Sequence, residues 1–413
     1  MRGTREAPAR SAVLGVSTLA MGLGAVPMPL VGYLGPALVA DLDLTGAQLG
    51  LVVGLFYGAT GVTSLLGSGL VDRLGARWWV AGDQALTAAG LAVVAAVGSL
   101  PALLVTSVVI GCGYAFLNAG TSVAVTAVSR ADQAAGAVAV KTAGIPGLLT
   151  VMALAGPAAA AAVGWRGVCL ALAGLAAVNA ALALAWLPSR RPGPAGTGPH
   201  GHARLPRGFA WVALAATCFV IGTNPLSAWL VVSLVDGGVA PTVAGLVSAT
   251  GTGAGTVAMV LAARRSDRRG PARRASTAAR ICATSLAGTL LLWAGTHLGL
   301  ALVALGALAG LLGAMVGAGF AHAVAVDRAP HAVGRATAVM SCGYYLGALV
   351  SPLAFGALAD ATGGYDVPWA VTAAAMALSV VSYAVVQRRV PPAAAGVRAR
   401  SASTTGLVGD VRT

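Results

Sequence analysis

The chain has 413 residues, of which 57% are hydrophobic and only 9% are charged, and its mean hydropathy is +0.84. A soluble globular domain carries about 25% charged residues, so this composition excludes an ordinary soluble enzyme or binding domain and indicates a protein of the bilayer. The 57 glycines fit the same class, because small residues let membrane helices pack closely.

Twelve apolar segments follow one another along the chain, separated by charges, prolines and turn residues. Each is long enough to cross a bilayer core of about 30 Å, which takes roughly 20 residues of helix. Length and composition therefore predict an all-α integral membrane protein with twelve transmembrane helices. The predicted spans are Ser11–Val39, Gly46–Leu70, Trp78–Val97, Ala102–Val128, Ala137–Val163, Val168–Leu187, Phe209–Val235, Val243–Ala263, Ala275–Thr296, Gly299–Val326, Ala336–Ala359 and Pro368–Val386.

The distribution of basic residues predicts how the chain is oriented. Of the 26 basic residues, all but Arg166 and Lys141 fall in the tails, in the loops on one side or, for Arg280, in the first turns of the ninth span on that side. Lys and Arg accumulate on the cytoplasmic side of membrane proteins, so both termini are predicted to be cytoplasmic. The net charge of +14 then faces anionic lipid of the inner leaflet, and no nucleic-acid partner is required to explain it.

The sequence predicts neither a cleaved secretory signal nor a cysteine-based site. A secretory signal has about 7 to 15 apolar residues before its cleavage site, and the N-terminal run is longer, which favours a first span. The five cysteines all lie in predicted spans, without CxxC spacing or clustered histidines. This pattern predicts neither a metal site nor disulfides.

The sequence contains an internal repeat. LVDRLGAR at Leu70–Arg77, after the second span, is echoed by RSDRRGPAR at Arg265–Arg273, after the eighth. RADQAAG at Arg130–Gly136 is echoed by RAPHAVG at Arg328–Gly334. The echoes predict two pseudo-symmetric six-helix bundles joined by a flexible linker rich in Pro, Gly and Arg. The predicted division is an N-terminal tail (1–10), a first bundle (11–187), a linker (188–208), a second bundle (209–386) and a C-terminal tail (387–413).

At the first copy of this repeat the chain resembles the major facilitator superfamily of secondary transporters. The signature of that family between the second and third helices is Gly-x-Leu-x-Asp-Arg-x-Gly-x-Arg/Lys, and here Ser68 replaces its first glycine. The resemblance implies the fold of that family over the whole chain. The matching residues are Leu70, Asp72, Arg73, Gly75 and Arg77, with Asp267, Arg268 and Gly270 in the weaker second copy.

The fifth span carries two narrower likenesses. AVKTAGIPG, from Ala139, is similar to the Lys-Gln-x-Gly-x-Pro pattern of cyanate and nitroimidazole carriers, with Thr142 in place of Gln. The Gly-Pro pair at 156–157 is similar to a signature of drug–proton antiporters, although the glycines that follow it there are alanines here. The residues of this helix-5 motif are Gly144, Pro146, Gly147, Gly156 and Pro157.

The residues of the loop motif have different expected roles. Gly75 permits a tight reversal between helices, and Arg73 and Arg77 keep the loop on the cytoplasmic side. Topology does not require Asp72. The resemblance implies that Asp72 docks near the start of the eleventh helix and holds the cytoplasmic side shut, and the alternative is a solvated loop acid.

Polar residues at membrane depth are the candidates for a substrate cavity, because they are costly there unless they are paired or functional. Lys141 has two interpretations, an anion-attracting cavity residue or a side chain that snorkels to the cytoplasmic surface. Each asparagine either meets a ligand or bonds across a helix interface. The cavity candidates are Asn118, Lys141, Asn224, His322, Tyr344 and Tyr345.

The candidates for proton coupling are Asp83 and His322. Proton-coupled members of the family commonly have an acid in the first or fourth helix, and this chain has none at mid-depth in either. Asp83 is also near enough to Arg77 in sequence to form a structural ion pair instead. Transport without a coupled ion therefore stays open as an alternative.

These features together predict a secondary transporter of a small organic solute that works by alternating access and uses a proton gradient, with no bound cofactor. Efflux is favoured over the alternative, uptake or facilitated transport of a small organic anion, which Lys141 favours. A membrane-embedded enzyme would need acids, His or Ser gathered at one interface, and all of the acids except Asp83 are scattered in loops and tails. The expected partners are the solute and the bilayer, and the expected state is a monomer.

Overall fold

The computed structural model describes residues 10–66, 75–130, 133–188, 204–269 and 271–390. The described residues form helices and connecting turns and contain no strand. The helices are α1 Arg10–Gly24, α2 Pro27–Leu42, α3 Gly46–Leu66, α4 Ala76–Val97, α5 Leu100–Ala127, α6 Ala134–Thr142, α7 Gly144–Trp186, α8 Ala210–Ala228, α9 Leu230–Asp236, α10 Pro241–Arg269, α11 Arg274–Leu298, α12 Leu300–Arg328, α13 Val333–Thr362 and α14 Asp366–Arg389, with a 3-10 turn at Pro271–Arg273 before α11.

Helices long and apolar enough to cross a membrane make up most of the described chain. There are 9 of them in the described ranges, or 10 when α1 and α2 count as one bent span. One of these segments, formed by α6 and α7 together, runs over Gly136–Trp186. Its 51 residues correspond to about 76 Å of helix, more than twice the thickness of a bilayer core. Its backbone leaves helical geometry at Gly164 (φ 70°, ψ 161°), where the chain turns back. Within the described residues every predicted span is helical over most of its length, and the predicted all-α membrane architecture is confirmed.

Two predicted spans are broken within the membrane rather than continuous. The first bends by 49° between α1 and α2. Pro27 lacks the N–H for a helical hydrogen bond, and just before it Ala25 and Val26 bond to the carbonyls three residues back. The seventh span is divided at Trp229, between α8 and α9, four residues after Pro225.

The helix ends correct several predicted boundaries. The first span extends to Leu42 rather than Val39, and the fifth begins at Ala134 rather than Ala137. The ninth and tenth spans are separated by the single residue Gly299. Its φ of 135° is accessible mainly to glycine, so it ends one helix and starts the next without a longer loop.

The helix bundle has two ends, the termini side and the far side. The termini side holds Arg10 and Arg389, and the far side holds the turn between α2 and α3 and the turn between α13 and α14. Residues 10–188 and 204–390 are called the first and second halves of the chain. The division into tails, bundles and linker remains a prediction.

The hydrophobic core is arranged differently at the two ends. One buried cluster includes residues of both halves, among them Leu34 and Leu149 of the first and Trp229 and Phe355 of the second. Two further clusters lie toward the termini side, and each is built from one half only. In the described chain the halves therefore share a core at the far side and have separate cores at the termini side.

A stripe of glycines brings α3 of the first half against α13 of the second. Gly46, Gly50, Gly54 and Gly58 recur every four residues and so lie on one face of α3. A Cβ at Gly50 would lie 2.1 Å from the carbonyl oxygen of Pro352, which leaves no room for any side chain. Close approach of small residues is how membrane helices associate where lipid supplies no hydrophobic drive.

Hydrogen bonds join the described parts of the two halves, and four of them are as follows. Tyr33 Oη is 3.1 Å from Ser248 Oγ, and the hydroxyl of Thr150 donates to that of Thr252 at 3.3 Å. The other two run from backbone N–H groups of α3 to Asp360. All four lie between mid-depth and the far side, so the halves are tied together at one end of the molecule.

Candidate functional site

Lys141, on α6, is completely buried (0% exposed). Its ammonium donates to Asn118 Oδ1 at 2.6 Å, to the Asn118 carbonyl at 2.8 Å and to Thr121 Oγ1 at 3.0 Å. Three N–H groups thus meet three neutral oxygens. In the described ranges no carboxylate pairs with the ammonium. The side chain does not snorkel to the surface, because these oxygens of α5 hold it inside the first half.

Asn118 separates this cation from the space around it. The asparagine is exposed whereas the lysine is buried, so of the side chains that bond to the ammonium Asn118 is the one that reaches the surface. Sequence reasoning singled out both residues, and the structure brings them into direct contact. A buried positive charge without an anionic partner in the described residues is suited to attract an anion.

Gly144 is the residue of the helix-5 motif that makes this arrangement possible. A Cβ there would lie 1.8 Å from the carbonyl oxygen of Thr18, so only glycine lets α6 and α7 approach α1 this closely. Gly147 has nothing within 4 Å of an added Cβ and no packing role of that kind. Pro146 is buried within the first half.

The Gly-Pro pair of the helix-5 motif lies at the contact between the halves. A Cβ added at Gly156 would lie 3.5 Å from the Cβ of Tyr33, which is an ordinary contact distance. Pro157 lies beside Gly245 of α10, whose own Cβ position is 2.3 Å from the carbonyl oxygen of Ala153. These residues therefore contribute to the joining of the halves in this conformation.

Asn224 does not have the ligand-facing position that one interpretation gave it. It is 4% exposed, and its amide donates to the carbonyl of Ala348 on α13 at 3.3 Å. The alternative interpretation, a hydrogen bond across a helix interface, is the one the structure shows. An unpaired amide would be costly at that depth, and a neighbouring helix offered a carbonyl oxygen.

Aromatic side chains from both halves meet near mid-depth. Tyr344 and Tyr345 lie edge to face on α13, with ring centroids 5.8 Å apart. Tyr345 packs on Gly61 of α3, where an added Cβ would lie 2.8 Å from its Cβ. Tyr57, one turn earlier on α3, interacts electrostatically with both tyrosines. We call Tyr57, Tyr344 and Tyr345 the tyrosine cluster; all three are partly exposed.

His322 borders the tyrosine cluster. Its ring centroid is 6.4 Å from that of Tyr344, and its Nδ1 is 3.5 Å from the carbonyl oxygen of Ala318. The residue is exposed, six residues before the end of α12 on the termini side. Both its exposure and its aromatic neighbour agree with the predicted cavity position.

Asp83, on α4, is 4% exposed and does not pair with Arg77. Its Oδ2 accepts a hydrogen bond from Gln84 at 3.0 Å. Arg77 instead donates from Nε to the carbonyl of Leu187 at 2.8 Å, at the end of α7. The structural ion pair that the sequence left open is therefore absent from the described chain.

The loop motif is only partly within the described residues. Gly75, directly before α4, has a φ of 82°, a conformation that favours glycine, and its role in a tight reversal stays a prediction. Asp267 and Arg268 lie in the last turns of α10. Asp72, Arg73 and Gly270 lie outside the described residues, and the docking of Asp72 stays a prediction.

Sequence reasoning missed several residues that the structure brings to these sites. Tyr57 completes the tyrosine cluster, and Asp360 ties α13 to α3. Gln84 and Asn179 hydrogen-bond to one another beside Asp83. The rule that singled out Asn118, a polar side chain inside an apolar span, would also have found Gln84 and Asn179.

The fold and the site define a class of protein: a multi-pass helical membrane protein whose two halves meet along a glycine stripe and at a cluster of tyrosines. The family model of the Major Facilitator Superfamily matches residues 11–279 and 212–412. The chain belongs to this family and is a membrane transporter. The likeness drawn from the loop motif is thereby confirmed.

Solved structures support the same fold. The chain is similar to the nucleoside transporter NupG, with 14% identity and a TM-score of 0.69, covering 92% of this chain and 99% of that one. It is similar to a bacterial homolog of the human lysosomal transporter Spinster, with 15% identity and a TM-score of 0.70, covering 92% and 97%. Among curated proteins, none matches the sequence.

Proposed function

We propose that the protein is a secondary active transporter that moves a small organic solute across the cytoplasmic membrane by alternating access, with both termini in the cytoplasm. The one-sided joining of the halves carries the proposal. The hydrogen bonds between the described halves and their shared core lie from mid-depth to the far side. This supports a state that is closed outside and loads from the cytoplasm. The matched Spinster homolog is itself described as inward-facing and occupied.

The tyrosine cluster supports an amphipathic organic solute. Phenol rings offer a flat apolar face together with a hydroxyl that donates and accepts hydrogen bonds. Because the two halves each supply part of the cluster, a bound solute would contact both and respond to their movement. A cavity that loads from the cytoplasm supports efflux as the direction of transport.

A proton gradient is the proposed energy source, without a bound cofactor. Asp83 and His322 are ionisable side chains within the spans, and neither takes part in an ion pair within the described residues. An unpaired ionisable group inside the membrane is costly to retain unless its charge state is used.

The second candidate is uptake or facilitated transport of a small organic anion. The observation that favours it is the buried ammonium of Lys141, which has only neutral oxygens as partners. An anion that displaces the exposed side chain of Asn118 would supply the missing negative charge. The first candidate does not require this cation.

Counterflow in proteoliposomes tests both candidates. The purified protein is reconstituted and assayed with a panel of organic anions and cationic drugs, with and without a pH gradient. Exchange of cationic drugs that responds to the gradient supports the first candidate. Exchange of anions alone that is lost in Lys141→Gln but kept in Arg335→Gln, which removes an exposed cation, supports the second. Failure of the folded protein to exchange any of them would contradict both candidates.

We propose a monomer whose termini side faces anionic lipid. Basic residues cluster there, including Arg335, Arg388 and Arg389 at the ends of α13 and α14. Each adds attraction to an anionic surface of about 1 kcal/mol. Light scattering in detergent measures the mass, and labelling of single cysteines in intact cells measures which side each loop faces.

A further inference from the structure

A buried polar cluster lies inside the first half, apart from the tyrosine cluster. Its members are Ser17 of α1, Asp83, Gln84 and Thr87 of α4, and Asn179 in the second span of α7. Ser17, Gln84, Thr87 and Asn179 are 0% exposed and Asp83 is 4% exposed. Polar side chains in such number within one half, away from the interface between the halves, require a physical reason.

Hydrogen bonds connect the carboxyl group of Asp83 to the backbone of α1 through two amides. Gln84 Nε2 donates to Asp83 Oδ2 at 3.0 Å and to the carbonyl of Ala20 at 3.3 Å. Asn179 Nδ2 donates to Gln84 Oε1 at 3.1 Å and to the carbonyl of Val16 at 3.4 Å. Successive turns of α1 are thus held by the same chain of amides that contacts the acid.

Four buried oxygens of the cluster have no hydrogen-bond partner. They are Asp83 Oδ1, Thr87 Oγ1, Ser17 Oγ and Asn179 Oδ1. A buried carboxylate with a single donor is poorly compensated, so the neutral acid fits this conformation better than the anion. Thr87 is four residues after Asp83 and lies on the same face of α4, so its unused hydroxyl is the donor that an ionised Asp83 would recruit. The cluster therefore contains a hydroxyl without a partner that can donate a hydrogen bond to the ionised form of Asp83.

Two glycines leave the space that the carboxyl group occupies. A Cβ at Gly113 of α5 would lie 2.5 Å from Asp83 Oδ1, and one at Gly24 of α1 would lie 3.4 Å from Oδ2. Gly24 is the last residue of α1, directly before the 49° bend. The acid therefore lies against the point at which the first span changes direction.

The ionisable surroundings of Asp83 are simple. From α5 it faces the phenol of Tyr114, with which it interacts electrostatically. From α1 it faces Gly24 and, through Gln84, the carbonyl of Ala20; from α7 it faces, through Gln84, the neutral amide of Asn179. Tyr114 lies 5.4 Å, between ring centroids, from Phe56, which in turn contacts Tyr57. Tyr114 and Phe56 thus lie between the acid and the tyrosine cluster.

We propose that Asp83 is the binding site of the coupling proton, and that Gln84 and Asn179 are positioning residues that carry its charge state to α1. The proposal rests on the proton coupling proposed above. Loss of the proton draws the hydroxyl of Thr87 toward the carboxylate and moves Gln84, which releases Ala20 and changes the bend at Gly24. The movement reaches the second half through α2, because a Cβ at Gly32 would lie 2.4 Å from the carbonyl oxygen of Ser227.

Infrared difference titration of the purified full-length protein in lipid nanodiscs tests proton binding without any substrate. The wild type is expected to show a protonated-carboxyl band that disappears as the pH is raised, and Asp83→Asn is expected to remove it. Gln84→Leu removes the N–H that stabilises the carboxylate, so the proton is expected to bind about tenfold more tightly. Asp83→Glu moves the band without abolishing it, which keeps the assignment testable if the asparagine variant fails to fold.

A second measurement separates positioning from general stability. Spin labels on either side of the bend report its angle as a function of pH. Asn179→Leu is expected to keep the carboxyl band but lose the pH-dependent change in distance. The control Ser285→Ala, which removes a buried hydroxyl that donates to Gly310 at 2.8 Å in the second half, is expected to change neither.

Three results would overturn the proposal. One is a carboxyl band that survives in Asp83→Asn, and another is a pH response abolished by His322→Gln instead. The third is a wild type that is more stable to unfolding in sodium chloride than in choline chloride, with this difference lost in Asp83→Asn. That result would assign a sodium site instead of a proton site. Absence of counterflow with the band intact would contradict the proposed transport function while leaving proton binding at Asp83 standing.

Discussion

The carboxylate of Asp360, near the end of α13, accepts a 2.8 Å hydrogen bond from the backbone N–H of Gly46, the first residue of α3 in the other half of the chain. The N–H of Ala47 donates to its second oxygen at the same distance. The first N–H groups of a helix lack partners within the helix, and the positive end of the helix dipole favours an anion there. One carboxylate thereby caps a helix and closes the far side of the interface.

Replacing this cap is expected to open the far side. In Asp360→Asn the charge is lost, which removes about 0.3–1 kcal/mol of charge–dipole attraction. The ratio of open to closed molecules should rise roughly two- to fivefold. Spin labels at Asp43 and Ala240, exposed far-side positions in the two halves, measure that ratio by their distance distribution. The control Asp366→Asn removes an acid of the same side that pairs with His297 inside the second half, and an equal shift in it would contradict the capping role.

The glycine stripe of α3 is expected to be intolerant of a single methyl group. Gly50→Ala places a Cβ 2.1 Å from the carbonyl oxygen of Pro352, so α3 and α13 must separate. The cost should be about 1–3 kcal/mol of the closed state, read as a lower midpoint of thermal unfolding and a wider far-side distance. Gly147→Ala is the matched control, because its Cβ meets nothing within 4 Å. Equal behaviour of the two variants would mean that close helix approach is unimportant here.

The tyrosine cluster is expected to contribute to solute binding through its rings more than through its hydroxyls. Tyr345→Ala should raise KM in counterflow by roughly threefold to tenfold, since aromatic contacts contribute about 0.5–1.5 kcal/mol beyond area burial. Tyr345→Phe keeps the packing on Gly61 and should change KM less. Tyr383→Phe, at a buried tyrosine of α14 outside the cluster, is the control. A change confined to Vmax in Tyr345→Ala would argue against direct contact with the solute.

Asp72 is expected to act as a gate of the cytoplasmic side. Asp72→Asn should leave membrane insertion intact, because topology depends on the arginines, but it should reduce transport. Uptake or counterflow in proteoliposomes, normalised to the amount of inserted protein, measures the effect. Asp43→Asn is a suitable control, since Asp43 has a left-handed φ of 50° that asparagine also tolerates. Wild-type transport by Asp72→Asn would refute the gating role.

The sequence predicted the positions and contacts of some side chains better than those of others. The buried position of Lys141 and its contact with Asn118 could not be separated from snorkelling, because hydropathy does not say how a helix is rotated. Sequence could not choose between the two interpretations of Asn224, and in this conformation its amide bonds to the carbonyl of Ala348. The break at Pro27 had a local signal in the sequence, since proline lacks the N–H for a helical hydrogen bond. A prediction from the length and hydropathy of the span does not use that signal.

The sequence by itself determined the class of protein, the helical spans and the family, because composition, hydropathy and a local motif are properties of contiguous residues. Only the tertiary structure decided which side chains meet: Lys141 with Asn118, Asp83 with Gln84 and, through it, Asn179, and Asp360 with the start of α3. Each of these contacts depends on the rotation and tilt of helices far apart in the chain. Those quantities are set by packing between helices, such as the glycine stripe of α3 against α13, and a hydropathy pattern does not record them.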